Sequence, residues 1–150
     1  MLVVRSDDPR NTIDAFSGAA CAVNALDSQS GYGAMMNEVG TREFFSDWIE
    51  TGAHATSIAA VVGGRAGIAA IDAVTWRIAL KFQPETAALR VLARTDPTPG
   101  LPLITSHRRN AEDLADAIDA AFVTLDPETR TMLGLVGFVR ISTVAYLSTQ

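Results

Sequence analysis

The chain has 150 residues, 48% of them hydrophobic and 19% charged, which is enough apolar material to bury a core as one domain and excludes disorder as the main state. Its 12 Lys and Arg against 17 Asp and Glu give a formal charge of −5. The basic residues are scattered except for Arg108 and Arg109, so no stripe tracks a phosphate backbone and nucleic acid is excluded as a partner.

Leu2-Val3-Val4 predicts a strand fragment broken by the turn cluster Ser6-Asp7-Asp8-Pro9. Ala20-Cys21-Ala22-Val23-Asn24 is a short apolar run closed by Asp27-Ser28-Gln29-Ser30-Gly31, the pattern of a buried strand followed by a loop. Its lone cysteine suits a small buried hydrophobe and excludes an internal disulfide. A helix is expected over about residues 31–39, and the end of Phe45-Ser46-Asp47-Trp48-Ile49-Glu50 reads as a second strand. Ile58, Val61 and Val62, with Ala55 and Ala59, make one helical face that stops at Gly63-Gly64.

Gly67-Ile68-Ala69-Ala70-Ile71 is a further buried strand, and Asp72 caps a helix carrying Val74, Ile78 and Phe82. Leu89-Arg90-Val91-Leu92-Ala93 makes another strand before the proline-dense connector of residues 96–102. Leu103-Ile104-Thr105 is expected to resume pairing. A helix with Leu114, Ile118, Ala121, Phe122 and Leu125 on one face follows, and Asp126-Pro127 starts another. Residues 137–150 carry no clear pattern. No run of 18 apolar residues occurs, and the apolar start is too short for a signal-peptide core.

Strands alternating with helices predict an α/β fold, a mainly parallel sheet of about four or five strands with helices on both faces. Ligands of such sheets bind at the edge where the strand C-terminal ends gather. Three of these ends lead into polar residues: Ser28 and Ser30, then Thr51 and His54, then Asp72. They should converge.

Ser28 and Ser30 precede a helix whose first turn holds Gly31, so free N–H groups and two hydroxyls could take a phosphate-like oxygen. An ordinary N-cap at Ser30 and a turn at Asp27 explain the same residues. His54, near the start of the next helix, could donate to the same anion or stand as a surface cap. Capping alone explains Asp72 completely, and Asp96 is either a turn former or a partner for a cationic ligand group. His107 fits a solvated loop.

Ser30, His54 and Asp72 are the residue types of a hydrolytic triad, but no G-x-S-x-G elbow is present. A helix N-terminus also disfavours the imidazolium that a general base must form, so no catalytic residue is assigned. Two isolated histidines and one cysteine show no metal-ligand spacing. Neither G-x-G-x-x-G nor G-x-x-x-x-G-K-[ST] occurs, so neither metal nor cofactor is expected.

Taken together, Asp27-Ser28-Gln29-Ser30-Gly31-Tyr32, Glu50-Thr51-Gly52-Ala53-His54, Gly64-Arg65-Ala66-Gly67-Ile68-Ala69-Ala70-Ile71-Asp72 and the proline-dense connector resemble the phosphate, phosphite and phosphonate substrate-binding proteins of ABC transporters. The resemblance covers about residues 3–146, including Gly137-Phe138-Val139 and Tyr146. It implies the type II periplasmic binding protein fold, with residues 1–150 one domain, 9–93 the ligand-binding lobe core and 94–150 a crossing segment and C-terminal helices. By the same resemblance, Ser28, Ser30, Gly31, Tyr32 and His54 form the oxyanion pocket. Asp72 and Asp96 match positions that recognise the other side of the ligand.

The resemblance implies non-catalytic binding of phosphate or a phosphonate, an ABC transporter permease as partner, and a periplasmic location. A ligand-sensing regulatory domain of the same fold is the alternative, with a small hydrolase third. Family members are about twice this length, so a truncated or standalone second lobe is expected. With no export signal in the chain, a cytoplasmic location stays open. The C-terminal helix bearing Leu114, Ile118 and Phe122 then lacks a lobe to cover, which predicts a homodimer through that face.

Overall fold

In the computed structural model, which describes residues 1–100 and 102–147, the apolar runs before the proline-dense connector become five short strands. These are β1 (Leu2–Arg5), β2 (Ala20–Val23), β3 (Asp47–Glu50), β4 (Ile68–Ala70) and β5 (Leu89–Ala93). They form one sheet in the order β3-β2-β4-β1-β5. β2 pairs in parallel with β3 and β4, whereas β1 is antiparallel to β4 and β5. Four strands therefore share one direction and β1 alone opposes them. This strand mixture fits an α/β sheet that is mainly parallel in strand direction.

The central strands are uninterrupted apolar runs because helices cover both faces. α1 (Ala34–Val39) lies on one face, where Met35 joins Leu2, Val4, Phe16, Cys21, Val23 and Ile68 in a buried cluster. α2 (His54–Val62) and α3 (Ala73–Phe82) lie on the other, where Ile58, Val61 and Trp76 pack on Val3, Ala22 and Ala69. Burying each such large side chain contributes about 1.5–3 kcal/mol. The alanines of β2 and β4 let the helices approach the sheet closely. From β2 the chain steps outward to β3, then returns past β2 to β4. Right-handed crossovers in opposite directions put α1 and α2 on opposite faces.

Local chemistry ends each helix. α1 stops at Gly40 with φ 74°, a left-handed value that glycine adopts freely. Asp72 starts α3 by accepting a hydrogen bond from the Thr75 N–H at 2.8 Å.

Residues Met1–Asp96 form one compact unit and Pro97–Gln150 a second. In the second, α4 (Ala111–Thr124) is capped by Asn110 and α5 (Pro127–Leu133) by Asp126, with Pro127 in the first turn; α6 (Thr143–Leu147) follows. Arg140 pairs with Glu112 and Asp116 on one side of α4. Leu114, Ile118 and Phe122 are only half-buried.

The expected strand at Leu103-Ile104-Thr105 does not form. Leu103 and Ile104 are exposed, at 73% and 90%, and the adjoining Pro102 has no N–H to give to a ladder. Residues 137–142 are irregular and a short helix, α6, follows them, in a tail where the sequence shows no pattern.

Candidate ligand-binding site

The order β3-β2-β4 makes neighbours of three strand ends, and the chain changes direction between β2 and β4. In an open α/β sheet that switch opens the crevice where ligands bind. Asn24 to Ser30 leave β2 there, Thr51 to His54 leave β3, and Asp72 leaves β4.

The segment after β2 is a π-turn, Gln29–Gly33, closed by the Gly33 N–H donating to the Ser28 carbonyl at 2.9 Å and running straight into α1. Such wide turns recur at functional sites. Ser28 is its cap: the Gly31 N–H donates to Ser28 Oγ at 3.2 Å. That division of labour leaves Ser30 free of the cap, and its hydroxyl instead meets His54 Nε2 at 3.2 Å. The tautomer of the ring decides which of the two donates.

His54 opens α2, whose N-cap position is Ala53 with no side-chain cap. Its Nδ1 is buried and has no hydrogen-bond partner among the described residues. Burial pushes the imidazole below its usual pKa, against the pull of the Asp72 carboxylate and the Ala70 carbonyl. The ring is therefore neutral at neutral pH.

Asn24, at the end of β2, has a buried side-chain oxygen with no partner among the described residues, and that oxygen fills the space in which a side chain at Gly31 would stand. A side chain at position 31 would therefore have to turn the Asn24 carboxamide aside, and that carboxamide lies against the Ser28–Gly31 turn. The two loops are joined underneath. Thr51 N–H donates to the Val23 carbonyl at 2.9 Å, and Gly52 N–H to the Asn24 carbonyl at 2.9 Å. The Thr51 hydroxyl also reaches Val23 O at 3.0 Å and Ser57 Oγ at 2.7 Å.

Of the residues singled out from the sequence, the structure brings Ser28, Ser30, Gly31 and His54 together and places Asp72 close enough to act on His54 electrostatically. The simple cap role offered for Ser30 belongs to Ser28. Tyr32 turns its ring onto Trp48, with centroids 4.7 Å apart in an edge-on arrangement, and packs against the core on the α1 face. Asp96 is exposed beyond the end of β5, with β1 lying between that strand and β4. His107 sits in an exposed turn of the second unit.

Asn24 and Ser57 are additions that the sequence reading missed. The signal for each is a polar residue in an apolar context: Asn24 closing a strand run, and Ser57 on the inward face of α2 beside Ile58 and Val61.

Comparison with known proteins bears on the fold and the family. No curated protein matches the chain in sequence. Among solved structures, a binding protein component of an ABC phosphonate transporter from Pseudomonas aeruginosa matches at TM-score 0.72 and 16% identity, covering 99% of this chain and 54% of that one. A Xanthomonas citri protein bound to ATP matches at TM-score 0.71 and 18% identity, with 99% and 62% covered. PhnD1 from Prochlorococcus marinus, in complex with methylphosphonate, matches at TM-score 0.52 and 22% identity over 59% of this chain and 38% of that one. The chain thus spans less than two thirds of the length of these relatives and shares their type II periplasmic binding protein fold. Among the described residues, no helix is long and apolar enough to cross a membrane. Residues 1–146 match the family described as ABC transporter, phosphonate, periplasmic substrate-binding protein, a family of non-enzymatic binding proteins, and the chain belongs to it.

Proposed function

We propose that this chain binds a small phosphorus oxyanion, phosphate or a phosphonate, without chemical change, as the solute-binding component of an ABC transporter. The observation that carries the reading is the Ser30–His54 pair at the strand C-terminal edge, 3.2 Å apart and supplied by two different loops. A hydroxyl fixed beside a half-buried imidazole forms half of an anion cradle, and the Ser28–Gly31 turn supplies the other wall. The methylphosphonate bound by the Prochlorococcus marinus relative supports the ligand class.

Ser28, Ser30, Gly31 and His54 face the oxyanion in this reading, with the Tyr32 backbone beside them. Asp72 takes a cationic substituent such as the amine of an aminophosphonate, and Asp96 contributes from the connector. Residues 9–93 are the ligand-binding lobe core and 94–150 the crossing segment and C-terminal helices of one domain. The permease of the transporter is the partner and the periplasm the location, as the family implies. The half-buried row Leu114, Ile118 and Phe122 supports pairing of two copies through α4. Light scattering at tens of micromolar protein checks this, and a strict monomer overturns it.

Calorimetric titration with phosphate and with methylphosphonate tests the binding reading. Saturable heat that disappears in His54→Ala is expected. Absence of heat at millimolar ligand from a protein with a cooperative melt would refute it.

A further inference from the structure

We propose that Thr51 and Ser57 are the positioning residues of the oxyanion site, a hydroxyl pair that ties the start of α2 to the end of β2 and so holds His54 against Ser30. The inference rests on the binding function proposed above and deepens it.

α2 begins without the usual fixing of a helix end. Its N-cap, Ala53, has no side chain able to accept from the first turn. His54 is the first residue of that turn, so an uncapped, fraying end would let the ring drift from Ser30. The hydroxyl pair fixes the helix end in another way, through the Ala53 and Val23 carbonyls rather than through the free N–H groups. Ser57 is fully buried among Ile58, Ala60 and Val61, where alanine would satisfy packing alone. Its hydroxyl stands 2.7 Å from Thr51 Oγ1 and 3.3 Å from the Ala53 carbonyl, and Thr51 Oγ1 lies 3.0 Å from both the Val23 and the Ala53 carbonyls. Each hydroxyl has one proton. The shortest contact is met when Ser57 donates to Thr51, and the Thr51 proton is then shared between the Val23 and Ala53 carbonyls. This chain runs from the first turn of α2, through the loop after β3, to the strand that launches the Ser28–Ser30 turn. The two halves of the site are therefore held by one relay, and neither of its hydroxyls needs to touch the ligand.

The test uses the full chain in three variants. Thr51→Val is isosteric and keeps the Thr51 N–H bond to Val23, but breaks the relay. Ser57→Ala breaks it from the other side and carries the test if Thr51→Val does not fold. Thr51→Ser retains the hydroxyl. The first readout is the His54 imidazole titration followed by NMR without ligand. Both breaking variants should move it up toward the ordinary value of about 6.5, while Thr51→Ser stays with wild type. The second is the dissociation constant for methylphosphonate, expected to rise about tenfold in the breaking variants and to hold in Thr51→Ser. Wild-type titration and affinity in both breaking variants would overturn the proposal, as would equal losses in Thr51→Ser. If wild type binds neither methylphosphonate nor phosphate, the binding function fails, and the ligand-free titration still decides whether the relay positions His54.

Discussion

Ser30 Oγ and His54 Nε2 stand 3.2 Å apart although 24 residues separate them in the chain. The adjacency of β2 and β3 makes this meeting, because the loops after parallel neighbours leave the sheet at the same edge. Within the turn after β2 the two serines have different work. Ser28 caps the π-turn through the Gly31 N–H, and Ser30 contacts the imidazole.

Substitution separates these roles. Ser30→Ala should weaken methylphosphonate binding by about 1.5–3 kcal/mol, roughly tenfold or more, with little change in melting temperature. Ser28→Ala should cost about 1 kcal/mol of stability through loss of the cap. Titration calorimetry and thermal melts of both proteins read the two effects side by side. Equal melts and equal affinities for the two variants would remove the distinction.

Gly31→Ala should destabilise the fold by about 1–3 kcal/mol, because the new methyl group overlaps the buried Asn24 carboxamide oxygen. Asn24→Ala should recover part of that loss in the double variant, since it empties the contested space. Denaturant melts of the four proteins in the cycle give the coupling. A cycle that closes additively contradicts the overlap.

The neutral state of His54 has a consequence for pH. Burial lowers its pKa in the folded chain, so in acid the unfolded chain takes up the proton first. The stability carried by this group is complete above the ordinary value of about 6.5 and falls as the pH drops from there to the lower folded value, below which it changes no further. The melting temperature of wild type should decline across that window more steeply than that of His54→Gln. An anion bound beside the ring favours its protonation, so binding near pH 6.5 should take up protons. Calorimetry in buffers of differing ionisation heat should detect that uptake in wild type and not in His54→Gln.

Asp72 caps α3 and also lies close enough to His54 to act on its ring electrostatically. Asp72→Asn keeps an acceptor for the Thr75 N–H and should leave stability nearly unchanged, whereas Asp72→Ala should cost about 1 kcal/mol. If the carboxylate also recognises a ligand amine, Asp72→Asn should lose affinity for 2-aminoethylphosphonate while keeping that for methylphosphonate. Parallel loss for both ligands would restrict Asp72 to general support of the site.

The sequence by itself determined whatever is settled within a few residues. The apolar runs at β2, β4 and β5, the Asp72 cap of α3, the Asp126-Pro127 start of α5 and the polar residues following three strand ends are all legible there, because capping and local burial pattern depend on near neighbours. Tertiary structure alone decided what depends on pairing across the chain. Leu2-Val3-Val4 reads as a strand in either direction, and only its insertion between β4 and β5 makes it antiparallel to both. The split between Ser28 and Ser30 follows from a π-turn that no spacing announces. Tyr32 matches a pocket position by motif, yet the Trp48 ring on neighbouring β3 takes its side chain. Asn24 and Ser57 acquire their places from Gly31 and Thr51 respectively. Each of these outcomes requires strands and helices to be assembled first, since a side chain can satisfy or obstruct a group only after the fold has brought the two together.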